Sequence, residues 1–246
     1  ENFGFDADRE MLGMRTENTK TFLDDQGEQK VVISNKPLHI PNSKGQLIDI
    51  DTRIKTWDNG YYVHDIHNPV TFGSQGFEGF SMVLGDVQVL SGLDPMPVLV
   101  FEEPMIEEQL SGLKGLDVNR IQPLEIGYFT PPTKNVEIGG SSIQYPLAHG
   151  IDLQYHVETN KVKQDLIINQ LSPDLKEYMR GVVDDNTDDS GYVYNSKFGI
   201  LETMILPLST ELWAGNHQIT SADGVYNHAS MLQIVESNSG QVIAYI

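Results

Sequence analysis

The densest chemistry in the chain is Asp184-Asp185-Asn186-Thr187-Asp188-Asp189-Ser190-Gly191, which packs four carboxylates into eight residues. Hard cations such as calcium take this donor set. Counting Asp184 as the first position of a calcium loop puts Asn186 and Asp188 at the third and fifth, where ligands belong. Asp189, however, stands where that loop turns on glycine, and no glutamate stands at the twelfth position. The run is a weak Ca2+ site on Asp184, Asn186 and Asp188, or else a solvated acidic loop.

His64 and His67 in His64-Asp65-Ile66-His67-Asn68 are the nearest approach to a metal motif. Residues three apart on a strand face opposite sides, so both imidazoles reach one ion only from a loop or helix. The alternative is a pair of turn or edge histidines. The other five, His39, His149, His156, His217 and His228, have no partner spacing.

Trp57, Tyr61, Tyr62, Phe72, Phe77 and Phe80 make an aromatic-rich stretch interleaved with Gly73, Gly76 and Gly79. An aromatic face complements the apolar face of a pyranose, so Trp57, Tyr61 and Tyr62 are candidate carbohydrate-binding residues. The competing reading is a sandwich core with glycine bends.

Glu78, Glu102, Glu103, Glu125 and Glu202 lie near strand-like segments and admit a glycoside-hydrolase carboxylate pair. In so acidic a chain their abundance makes them uninformative. There is no Gly-x-Ser-x-Gly elbow, no phosphate-cradling glycine loop and no cysteine. The chain therefore reads as a non-enzyme with no catalytic residues to name, and a glycan or ester hydrolase is the remote alternative.

The elements that must position these groups are strands. Segments 31–34, 47–51, 82–90, 97–101, 142–145, 151–157, 165–169, 203–208 and 231–235 are short apolar or alternating runs. Turn residues such as Asp25-Gln26-Gly27, Asn42-Ser43-Lys44-Gly45, Asp58-Asn59-Gly60, Glu158-Thr159-Asn160-Lys161, Ala222-Asp223-Gly224 and Ser237-Asn238-Ser239-Gly240 separate them. Two short helices are expected, at 172–181 and 102–113, the first from a capping serine, proline at its first position and a terminal glycine. The expected fold is an all-β antiparallel β-sandwich, or two packed sandwiches, over residues 1–246 as a single unit with a weak seam near Pro131-Pro132.

Thirty-five acidic against 16 basic residues give a formal charge of −19. Phosphate backbones and anionic membranes are repelled by such a surface, so neither nucleic acid nor membrane insertion is expected. No run approaches the ~18 apolar residues of a transmembrane helix. The opening Glu1-Asn2-Phe3-Gly4-Phe5 reads as a processed mature chain or as a chosen boundary. Phe3 and Phe5, at period two within 1–8, read either as a strand donated to a neighbouring molecule or as a frayed terminus.

Met14-Arg15-Thr16-Glu17-Asn18-Thr19-Lys20-Thr21-Phe22, followed by Val31-Val32-Ile33-Ser34, Pro37-Leu38-His39 and Gly45-Gln46-Leu47-Ile48-Asp49-Ile50-Asp51, resembles the N-terminal β-rich module of large secreted bacterial surface proteins, RHS-type and adhesin-like, including those of Bacteroidota. A second segment, from Tyr145-Pro146-Leu147 through Gln154-Tyr155 to Ile167-Ile168, is similar to a hairpin of those modules. The resemblance covers about a third of the chain and carries no catalytic residues. It implies an extracellular, cell-surface module with a structural or adhesive role, partnered by itself, by another surface protein or by a glycan. A carbohydrate-binding module is the first alternative.

Overall fold

Side chains alternate across a strand, and that alternation decides which residues reach the core here. The computed structural model describes residues 4–102, 121–123, 136–147, 150–170, 173, 195–219 and 232–245. Among them the protein is all-β, its strands antiparallel throughout and its helical elements three-residue 3-10 turns.

Two hairpins come first: β1 (Thr19–Leu23) pairs with β2 (Gln29–Ile33), and β3 (His39–Pro41) with β4 (Leu47–Asp49). A seven-stranded sheet follows as a meander through β5 (Lys55–Trp57), β6 (Gly60–Val63), β7 (Val70–Phe72), β8 (Phe80–Leu84) and β9 (Val87–Glu102). β10 (Ile121–Pro123) pairs with the distal part of β9. A second sheet is the meander β11 (Glu137–Gly139), β12 (Ser142–Pro146), β13 (Ile151–Val157) and β14 (Val162–Ile168). The chain then returns as β15 (Asn195–Ile205) along β9. It closes with β16 (Thr210–Ala214), β17 (His217–Ile219), β18 (Leu232–Glu236) and β19 (Val242–Tyr245), arranged β17-β16-β18-β19.

The first two sheets pack face to face. Val63, Val70 and Phe72 of one and Ile143, Tyr145, Leu153, Tyr155 and Val157 of the other form one buried cluster. Tyr145 and Tyr155 are the largest fully buried side chains, and their rings meet edge to face at 6.2 Å. The inward residues of β13 recur at every second position from Ile151 to Val157, which is the alternation the sequence displays. A smaller cluster joins the end of the β8–β9 hairpin to the last sheet through Leu84, Val89 and Ile234.

Glycine places one junction. Gly92, at φ +70°, lies where a Cβ would stand 2.3 Å from the Tyr155 hydroxyl, so only glycine fits both the backbone and the space.

The run 82–90, expected as one strand, is two. Leu84 pairs with Val87 across a two-residue turn whose Gly85 has φ +61°, folding the run back on itself. Of the two expected helices, 172–181 falls outside the described residues apart from Pro173, and for 102–113 only Glu102 is described, as the last residue of β9. The weak seam near 131 also lies outside them. Among the described residues no helix is long and apolar enough to cross a membrane.

Candidate functional site

The β5–β6 hairpin turns on Asp58-Asn59 and pairs Trp57 with Gly60, so no side chain stands opposite the indole. Trp57 and Lys55 lie on the same face of β5, and Lys55 pairs directly with Tyr62. This face turns away from the shared core. Trp57 is 55% exposed, meets Tyr62 edge to face at 6.3 Å, and Tyr62 in turn lies 4.5 Å from the His64 ring. Lys55 donates to Asp65 at 3.1 Å. The result is an outward row of indole, phenol and imidazole flanked by a fixed ammonium.

Tyr61 is not part of that row. As the neighbour of Tyr62 in sequence it points to the other face, packing against the core and meeting Tyr145 edge to face at 6.5 Å. Phe72 and Phe80 likewise turn inward, stacking around Tyr155. The aromatic stretch thus divides, with Tyr61, Phe72 and Phe80 packed on the core and Trp57 and Tyr62 on the outer face.

A second constellation had no signal in spacing. The turns at Ala7–Arg9 and Leu12–Met14 bring Glu10 and Arg15 beside the N-terminal hairpins, β1 contributes Lys20, and His39 pairs with Asp49 across β3 and β4. Arg15 Nε and Nη2 donate to the two Glu10 oxygens at 2.8 and 2.9 Å, and Nη2 also donates to Asp49 at 3.1 Å. Lys20 Nζ rests on Asp49 and lies 3.7 Å from Glu10. His39, fully buried, donates from Nδ1 to the Thr16 carbonyl at 2.7 Å, which turns Nε2 toward Asp49 and Glu10 at 3.4 and 3.8 Å.

Two carboxylates face two fixed cations here, with the His39 ring beside them. The Glu10 hydrogen bonds raise the Arg15 pKa further. Burial pushes the Asp49 carboxyl up, but the hydrogen bond and charge of Lys20, with Arg15 and His39, outweigh it and hold the carboxyl below its usual range. These groups are spent on one another. Such a network fixes register between segments far apart in sequence.

The remaining candidates are dispersed. His67 approaches Glu17 at 3.8 Å while His64 packs on Tyr62, so the two imidazoles have different partners. No group of three or more metal-ligating side chains forms among the described residues. Asp184, Asn186 and Asp188 lie outside those residues, as does Phe3. Phe5 stacks on Phe22 of its own chain, ring centroids 5.0 Å apart, and the chain turns at Ala7–Arg9 instead of staying extended to Asp8. The Glu78 carboxylate accepts from Ser74 and from the Gln75 backbone, closing a turn.

No family model, curated protein or solved structure matches this chain.

Proposed function

We propose that this chain is a non-catalytic adhesive module of a cell-surface protein, holding a glycan through the outer face of its seven-stranded sheet. The observation that carries the reading is Trp57, more than half exposed at the hairpin end of the edge strand β5 and aligned with Tyr62 and His64. Exposing an indole leaves a large apolar area in water, a cost recovered when a ligand covers it. An antiparallel sandwich offers a stiff mount for such a face, and the partly buried Glu10–Arg15–Lys20–Asp49 network supports a similar rigidity at the N-terminal hairpins.

The test is a glycan array probed with the whole chain and with Trp57→Ala. Binding that Trp57→Ala abolishes while circular dichroism stays unchanged supports the reading. Binding indifferent to Trp57, or none at all, removes it.

A second reading has its own support. β2 pairs only with β1 among the described residues, and its outer edge carries Ile33 and Val31, 78% and 56% exposed. An unprotected edge with β-branched residues accepts a strand from another molecule, the contact a surface assembly needs.

A further inference from the structure

The chain has two tryptophans, and the second also stands on an outer sheet face. In the C-terminal sheet β16 pairs with β18 so that Glu211 opposes Val235 and Trp213 opposes Gln233. These four share one face. Leu212 and Ile234, between them in sequence, turn the other way into the small apolar cluster with Leu84 and Val89. The Trp213 Nε1 donates to Glu211 Oε2 at 3.0 Å, which fixes the plane of the indole.

This face is an open cleft of about 350 Å³. One end is the two-residue turn Gly215-Asn216, which the φ of +59° at Gly215 permits; the other is Glu236 with its following turn. The volume is at the small end for ligand sites, enough for one or two sugar rings. Glu211 and Glu236 line it, whereas no lysine, arginine or histidine does among the described residues. Together with the net charge of −19 this disfavours any anionic ligand. What remains is an indole, two carboxylates and the amides of Gln233 and Asn216, acceptors and donors for hydroxyl groups around an aromatic ring.

We propose that this cleft is a second carbohydrate site, taking one or two rings of a neutral pyranose chain, with Trp213 stacking on a ring and Glu211, Gln233 and Asn216 binding its hydroxyls. It shares no residue with the Trp57 face, so the module holds glycan at two separate places. Two weak sites on one rigid body bind a multivalent surface far more tightly than either alone.

Having only two indoles makes the test direct. In Trp57→Phe, the emission of Trp213 alone is followed during titration with neutral cello-, xylo-, manno- and chito-oligosaccharides, with polygalacturonate as the anionic control and polylysine as the cationic one. A saturable shift with at least one neutral oligosaccharide, weakened about tenfold or more by Gln233→Ala, is expected. No shift with any of them overturns the site, and a shift confined to polygalacturonate or polylysine overturns the ligand class. Loss of the Trp57 reading leaves this titration unaffected, because Trp57 is already absent. Should Gln233→Ala fail to fold, isothermal calorimetry of the Trp57→Phe/Trp213→Ala double variant against the same oligosaccharide, compared with Trp57→Phe, decides: unchanged affinity overturns the proposal.

Discussion

The hydroxyl of Tyr145 donates to the carbonyl of Gly73 at 2.6 Å, tying the second sheet of the sandwich to the loop that follows β7 of the first. Burial raises the pKa of this phenol far above its usual value, aided by the nearby Tyr61, Tyr155 and Glu78, so the proton stays where the bond needs it. Tyr145→Phe removes the donor without changing the ring and leaves a carbonyl unpartnered. The expected loss is about 1–2 kcal/mol, read as a lower urea midpoint with unchanged slope.

Gly92→Ala should be costlier. The left-handed backbone penalises a side chain by about 1–2 kcal/mol, and the new methyl would stand 2.3 Å from the Tyr155 hydroxyl. Combining it with Tyr155→Phe removes the clash while keeping the backbone penalty, so the double variant should recover part of the loss. Strictly additive losses in thermal melts would show that the two positions do not touch.

In the charge network, Lys20→Met leaves Glu10 and Asp49 facing Arg15 alone. Removing one partner of a buried pair costs about 3–5 kcal/mol; here Arg15 remains and Asp49 is 48% exposed, so a loss below that range is expected. Denaturation midpoints of Lys20→Met against the wild-type chain measure it, and a change below ~0.5 kcal/mol would place the network among those that contribute nothing.

Acid should weaken the same region. Because the folded state holds the Asp49 carboxyl below its ordinary value, its contribution is complete above that value and is lost as pH falls through the depressed one. Stability should therefore decline from about pH 4 downward, and Asp49→Asn should flatten that decline. A profile of melting temperature against pH for both chains tests the slope; parallel curves would remove Asp49 from the account.

Along β2, Ile33→Lys places a charge on the exposed edge. If strand addition builds an assembly there, light scattering should show the wild-type oligomer reduced to monomer. A wild-type chain that is already monomeric at every concentration, with or without calcium, discards the edge reading.

The sequence made some of this legible and hid the rest for physical reasons. Residues 151–157 announce themselves because Ile151, Leu153, Tyr155 and Val157 alternate without interruption, and the strand has those limits. The hairpin at 84–87 was hidden because apolar residues continue on both sides of Gly85, so periodicity could not register the reversal. Trp57 and Tyr62 were visible as aromatics, yet separating them from Tyr61 needed the strand's parity. The cluster of Glu10, Arg15, Lys20, His39 and Asp49 had no spacing to read, since pairing across β3 and β4 and the path of two short turns assemble it. Trp213 gave no signal at all, because its neighbours Gln233 and Asn216 join it only through β18 and the turn to β17.

The meander order of the two larger sheets has a bearing on folding during synthesis. A chain emerging amino end first from the ribosome would find, at β6, β7, β8 and β9 in turn, the preceding strand already outside and waiting. Only β9 breaks the sequence, since its partner β15 begins at Asn195, nearly a hundred residues after Glu102. Closing so long a loop is slow relative to neighbouring hairpins. Until then Val87–Glu102 travels with one side uncovered, and the clasp of β15 is the step that joins a string of hairpins to the C-terminal sheet that follows it.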